Sequence, residues 1–201
     1  MNVTLLDYGA GNVTSVERAL RRLGANVFTT NRPEAIADAE RLILPGVGHC
    51  GALIAALDAH GLRQPLRDAI ARGVNFLGIC LGLQALYEAS DEAPSLAGLG
   101  LLPGRVTHLP AGVKLPHMGW NQLQRTNGSR LLEGVSPEAY FYFAHSYAAP
   151  ASGPESTAIC QHGRPFIAVV EQRNLFGVQF HPEKSGAPGA KLLENFLRLP
   201  A

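Results

Sequence analysis

A chain of 201 residues that is 46% hydrophobic and only 16% charged can build one well-developed core and is not disordered in composition. Its formal net charge of +1 gives no electrostatic ground for nucleic acid or an acidic membrane surface as a partner. No apolar run nears the roughly 18 residues needed to span a bilayer, and three cysteines without paired spacing argue against a disulfide framework. With residues 1–4 opening directly into a strand-like run, the expectation is a single domain over 1–201, without signal peptide or anchor, in the cytoplasm.

Residues 3–7 form a short apolar run closed by Tyr8-Gly9-Ala10-Gly11-Asn12. Asn12 suits the N-cap of a helix whose apolar positions are Val13, Val16, Ala19, Leu20 and Leu23, with Gly24 as its stop. A strand over 26–30, a short helix over 33–39 entered through Pro33, and a strand over 41–44 follow. This alternation is the pattern of a parallel sheet with helical crossovers. Helices over 51–60 and 62–72 then lead to the apolar run 74–79 and a helix-forming stretch over 83–88.

Beyond it the grammar changes. Residues 90–100 read as loop, and short β-type runs follow at 104–109, 118–124, 140–147, 157–161, 166–171 and 176–180. Turn formers separate them, among them Pro110-Ala111-Gly112, Thr126-Asn127-Gly128, Ser152-Gly153-Pro154 and Gln172-Arg173-Asn174. They predict antiparallel meanders added to the parallel half. A closing helix over 188–199 carries Leu192, Leu193, Phe196 and Leu197 on one face. The fold class is therefore α/β: an open, mixed, mainly parallel sheet flanked by helices, with added antiparallel strands in the C-terminal half.

The chemistry centres on Gly78-Ile79-Cys80-Leu81-Gly82-Leu83-Gln84. A buried strand, a Gly-x-Cys-x-Gly turn and a helix start form the cysteine counterpart of a nucleophile elbow, with the glycines expected to permit a strained turn. The N–H after the thiol, on Leu81, then lies at a helix start and can hold an oxyanion. A buried structural cysteine is the competing reading. Pro45-Gly46-Val47-Gly48 ends the third strand on the same sheet edge, either as a second oxyanion donor loop or as a plain turn; it is a poor phosphate loop, having no Lys-Ser/Thr. Of seven histidines, His181 stands out in His181-Pro182-Glu183. Pro182 holds His181 extended, so 181 and 183 are expected to project to one side as in a strand, the carboxylate orienting the imidazole. The cysteines at 50, 80 and 160 have no metal-ligand spacing, so zinc is rejected and no metal or other cofactor is expected; Cys50 and Cys160 read as structural.

These motifs resemble the class I (triad-type) glutamine amidotransferases, whose sheet is flavodoxin-like. Within that family the likeness is to the glutaminase subunits of imidazole glycerol phosphate synthases. It rests on Asp7-Tyr8-Gly9-Ala10-Gly11-Asn12, Pro45-Gly46-Val47-Gly48, Pro116-His117-Met118-Gly119-Trp120-Asn121, Ala144-His145-Ser146-Tyr147 and Lys184-Ser185, and runs over essentially the whole chain. The resemblance implies a Cys80, His181, Glu183 triad acting on L-glutamine through a γ-glutamyl thioester. It implies an oxyanion hole from Leu81 and the Gly46-Val47-Gly48 loop, and glutamine held by Gly48, Gly82, Gln84, His145, Ser146 and Tyr147. It further implies ammonia transfer to a (β/α)8-barrel cyclase subunit that makes imidazole glycerol phosphate and AICAR in histidine biosynthesis. Asn12, Met118, Trp120, Tyr142 and Lys184 are then expected at that heterodimer interface. Such systems are gated by the partner, and the Pro45–Gly48 loop is the expected switch. A glutaminase of another pathway and a stand-alone cysteine hydrolase are the alternatives. The sequence departs from the family pattern at His49-Cys50 and Phe143-Ala144, and Cys50 is expected to make thiol labelling less selective for Cys80.

Overall fold

The structure is a computed structural model and describes residues 1–9, 12–125, 127–151, 153 and 155–200. Ala10 and Gly11 of the first motif, Thr126 of one expected turn, and Ser152 and Pro154 of another lie outside the described residues. The first half alternates as expected: β1 (Asn2–Leu6), α1 (Val13–Arg22), β2 (Asn26–Thr30), α2 (Pro33–Ala37), β3 (Arg41–Leu44), α3 (Cys50–Ala59), α4 (Arg63–Ala71) and β4 (Asn75–Ile79). After it come α5 (Leu81–Gln84), β5 (Tyr87–Ser90), β6 (Leu102–His108), β7 (His117–Gln122), β8 (Gln124–Arg125), β9 (Tyr140–His145) and β10 (Tyr147–Ala148). The chain ends with β11 (Ser156–His162), β12 (Arg164–Gln172), β13 (Leu175–Val178) and α6 (Gly186–Arg198).

The main sheet has the strand order β2-β1-β3-β4-β13-β12-β11-β8. Strands β2, β1, β3, β4 and β13 run parallel, and β12, β11 and β8 extend the sheet antiparallel. β13 is the consequential one. Read from sequence as the end of a meander, it inserts beside β4 in parallel, with Val178 opposite Ile79. Both strands therefore end on one edge, and the residues just beyond them, Cys80 and His181, leave the sheet side by side. Alternation along the buried strands feeds two apolar layers: Val3, Leu5, Leu77, Ile79 and Val178 pack with α1 and α6, whereas Leu42, Leu44 and Phe76 pack with α3 and α4. The stripe Leu192, Leu193, Phe196 and Leu197 of α6 is fully buried, each side chain contributing about 1.5–3 kcal/mol.

The stretch expected as a helix over 83–88 behaves differently. It gives one helical turn and then strand β5, which pairs in parallel with β6 in a separate three-stranded sheet with β10. Non-local pairing overrides local preference here: Leu86 O accepts from Leu101 N and Leu102 N, and Glu88 O accepts from Gly98 N. Gly98 makes the approach possible, since a Cβ there would lie 1.9 Å from Tyr87 O. At the amino ends of the central strands, Arg41 Nη2 donates to Leu199 O (2.7 Å) and Asn75 Nδ2 donates to Pro200 O (2.7 Å), tying down the chain after α6.

Candidate active site

Cys80 sits at the tip of β4 with φ 55° and ψ −106°, a left-handed conformation that a non-glycine residue adopts only when its surroundings impose it. Its N–H donates to Val178 O (2.8 Å) and its carbonyl accepts from Gln84 N (3.1 Å), which hold the turn from both sides. The flanking glycines act otherwise than expected. Neither has positive φ; they make room. A Cβ on Gly78 would lie 2.5 Å from Gly82 O, and one on Gly82 would lie 1.9 Å from Leu44 O. The strain belongs to the nucleophile itself, and the glycines let α5 press against β3 and β4.

His181 is pinned by its backbone: its N–H donates to Tyr142 O (2.9 Å), and its carbonyl accepts from Ser185 Oγ (2.6 Å). Its Nδ1–H donates to Glu183 Oε1 at 3.0 Å, and the ring lines one cavity with Cys80. Residues 182–184 form a 3-10 turn, not an extended segment, so 181 and 183 meet across a tight turn and not by strand alternation. Burial disfavours a charged His181, yet the neighbouring Cys80 and Glu183 outweigh it and raise the imidazole to about 10. Asn12 caps the start of α1 by position only: its side chain accepts no helix N–H, and its Nδ2 donates to Glu183 Oε1 (3.2 Å).

Cys80 and His181 line a cavity of about 140 Å³ together with Val47, Gly48, Leu81 and Gln84. Ala144, His145, Ser146, Tyr147, Lys184 and Glu92 complete its wall. The cavity is below the roughly 300–1,000 Å³ of sites for larger ligands and matches a single small polar molecule. Gly46 and Gly82 stand behind the wall: a Cβ on Gly46 would lie 2.5 Å from Leu81 Cβ. Glu92, which the sequence reading passed over as loop, presents a carboxylate here and accepts Cys50 N–H (2.7 Å). Gln179 is the other residue it missed; it is fully buried and touches Cys80. Only the strand-end position of Gln179, two residues before His181, could have drawn attention to it.

His145 belongs to a second imidazole system. Its Nδ1–H donates to Tyr147 O (2.9 Å), its Nε2 faces His117 Nδ1 (3.0 Å), and His117 Nε2 faces Asn121 Nδ2 (3.3 Å). Burial lowers His145 to about 3, against the Tyr147 hydrogen bond, and lowers His117 to about 4, with His162 adding to the effect. Both rings are neutral, so His117 Nδ1–H donates to His145 Nε2. Val47 N–H donates to the Tyr8 hydroxyl (3.3 Å), which burial raises to about 12.

All three cysteines are free and buried. Burial pushes Cys50 upward and Cys160 to about 12, and neither lines the cavity. Against the expected loss of labelling selectivity, the thiol that opens onto the cavity is Cys80. A larger surface hollow of about 550 Å³ near Arg130, Lys191 and Arg198 holds no nucleophile. Its cations face Glu171 and Glu194.

The chain is similar to known proteins in family, in sequence and in fold. The family model for glutamine amidotransferase class-I matches residues 4–199. A protein named imidazole glycerol phosphate synthase subunit HisH from Desulfitobacterium hafniense is 49% identical over 195 residues, spanning 96% of this chain and 92% of that protein. The protein of that name from Methanothermobacter thermautotrophicus is 46% identical over 197 residues, 98% of each chain. Imidazole glycerol phosphate synthase hisHF of Emericella nidulans is 42% identical over 97% of this chain but only 37% of its own length. In fold, the chain resembles a structure described as PurLQS from Thermotoga maritima (TM-score 0.78, 22% identity, 98% of this chain and 97% of that one).

Proposed function

Given that the chain belongs to the class I glutamine amidotransferase family, in the branch of the HisH subunits of imidazole glycerol phosphate synthase, we propose that Cys80, His181 and Glu183 are its catalytic triad. The observation that carries the reading is that Cys80 and a His181 hydrogen-bonded to Glu183 open together on a cavity sized for one amino acid. Cys80 Sγ attacks the side-chain amide carbon of L-glutamine. His181, which holds its proton firmly, gives it to the departing nitrogen, and ammonia leaves behind a γ-glutamyl thioester. His181 then takes a proton from water as its oxygen attacks the thioester, and glutamate and the thiolate separate. Glu183 keeps the His181 ring oriented through Nδ1–H.

Leu81 N–H is the first oxyanion donor. The loop supplies a second from Gly46, Val47 or Gly48, but Val47 N–H is engaged by Tyr8 and has to be released before it can serve. The Tyr8 hydroxyl thus acts as the latch of the expected switch. Glutamine's charged end lies among Gly48, Gln84, His145, Ser146 and Tyr147, with Gly82 behind them, and the Glu92 carboxylate supplies a counter-charge for the α-ammonium.

The partner is a (β/α)8-barrel cyclase subunit that consumes the ammonia to make imidazole glycerol phosphate and AICAR for histidine. In support, Met118 and Trp120 are 64% and 56% exposed on β7, and Trp120 packs edge-on against Tyr142. Lys184 Nζ lies over the Tyr142 ring at 5.7 Å, and Tyr142 O holds His181 N–H, so this surface touches the triad. The fungal hisHF chain, of which the matching part is 37%, supports coupling to a further unit. The match over 4–199 supports a single amidotransferase domain. Among the described residues no helix is long and apolar enough to cross a membrane, and free buried cysteines support the cytoplasm.

The test is glutamine hydrolysis with and without the barrel subunit and its nucleotide ligand. Cys80→Ala is expected to abolish glutamine-dependent synthesis in the complex while leaving ammonium-dependent synthesis intact. Glutamate release indifferent to the partner, or loss of both syntheses, defeats the reading.

A further inference from the structure

Gln179 follows β13, is 0% exposed, and makes one contact with each end of its amide. Its Oε1 accepts from Gln84 Nε2 (3.1 Å), and its Nε2 donates to Cys80 Sγ (3.6 Å). The sense of this file is dictated from outside it. Tyr147 O can only accept, and it lies 2.7 Å from the Gln84 amide, so the Gln84 atom facing it is Nε2. The second hydrogen of that NH2 then points at Gln179, whose facing atom has to be oxygen. Gln179 is left with its NH2 towards sulfur.

We propose that Gln179 is a residue of the glutaminase centre that reads both partners of the reaction: it donates to the Cys80 sulfur, and it compels Gln84 to face substrate as an acceptor. The second half follows from counting hydrogen-bonding groups. With both amide hydrogens of Gln84 committed to Tyr147 O and Gln179 Oε1, its Oε1 is buried without a partner in a residue that lines the cavity. That oxygen can accept from the ammonium of an α-amino acid and repels a carboxylate. The first half concerns sulfur. An N–H aimed at Sγ stabilises it when it carries negative charge, as the attacking thiolate and again as the group expelled when water attacks the thioester. One fixed backbone carbonyl, Tyr147 O, thus sets donor and acceptor polarity from the substrate anchor to the nucleophile.

The inference rests on the glutaminase reading and is tested in the full chain bound to its barrel subunit, with Gln179→Met and Gln179→Glu. In Gln179→Met both contacts go: KM for glutamine rises and kcat falls, with kcat/KM down roughly 10- to 100-fold, while ammonium-dependent synthesis stays at the wild-type level. Gln179→Glu keeps an oxygen opposite Gln84, so its KM stays within about threefold of wild type. Its kcat is low at neutral pH and recovers on acidification, when the carboxyl can again donate to sulfur. A merely structural role would not separate KM from kcat in this way. Alkylation of Cys80 by iodoacetamide reads the sulfur without glutamine; it slows in Gln179→Met even if glutamine proves not to be the substrate. Wild-type kcat, KM and alkylation rate in Gln179→Met would overturn the proposal, as would an equal rise of KM in both variants.

Discussion

His181 and His145 line one cavity, are both buried and both donate Nδ1–H to an oxygen at about the same distance, 3.0 and 2.9 Å. Yet His181 is raised to about 10 and His145 lowered to about 3. Burial pushes both rings the same way, towards neutrality, so it cannot account for the difference. The partners do. His181 faces a carboxylate and a thiol, two groups that can carry negative charge, whereas His145 faces a neutral carbonyl and a second imidazole whose proton already points at it. The number of acceptors able to hold charge, not depth, decides which histidine is held charged and which neutral.

The sharpest way to break this contrast is to remove each ring. His181→Asn is expected to lower glutamine-dependent kcat by about 10²–10⁴, the usual worth of a general acid–base group, with ammonium-dependent synthesis unchanged. His145→Asn leaves kcat within roughly tenfold and acts mainly on KM, because Tyr147 O loses a donor. Equal losses of kcat would erase the distinction. Next, Glu183→Gln removes the charge facing His181: kcat falls about 10- to 100-fold, and the His181 midpoint followed by NMR moves down.

Smaller effects follow. Tyr8→Phe frees Val47 N–H, and glutaminase activity without the barrel subunit rises about 2- to 10-fold, the scale of one neutral hydrogen bond. Unchanged partner-free activity would remove Tyr8 as the latch. Last, the two histidine systems place opposite limbs on stability. The depressed values of His145 and His117 stabilise the fold above about 6.5, and that contribution drains away as pH falls towards about 4 and 3. The raised value of His181 stabilises below about 6.5 and is lost as pH rises through about 10. Thermal unfolding of His117→Gln should therefore show a shallower loss between pH 6.5 and 4 than the wild type. Glu183→Gln should show a shallower loss on the alkaline side.

The parallel half was legible because each of its strands is a short apolar run bounded by Gly, Pro or Asn, and its helices carry 3.6-residue stripes. The elbow was legible for the same reason. What escaped depends on pairing between distant segments. Residues 87 and 88 read locally as the end of a helix and residue 90 as loop, yet 87–90 become β5 because Leu86 and Glu88 carbonyls bind residues near 100. The 176–180 run read as a strand, but nothing local told it to lie parallel beside β4. At the site, the triad has a spacing signature, whereas Glu92 and Gln179 have none: a carboxylate in a loop and an amide in an apolar strand acquire meaning only from what they face. Asn12, expected at the interface, turns its amide to Glu183, a bond across 171 residues of sequence.

The grip of Arg41 and Asn75 on Leu199 O and Pro200 O has a practical bearing on how the molecule can be joined to others. Those two residues begin β3 and β4, while the cavity lies past the opposite tips of the same strands. A dye, bead or second polypeptide attached beyond residue 200 therefore departs from the floor of the sheet, with the mouth of the cavity on the roof. A tether from there to the cavity face has to span the length of β3 and β4.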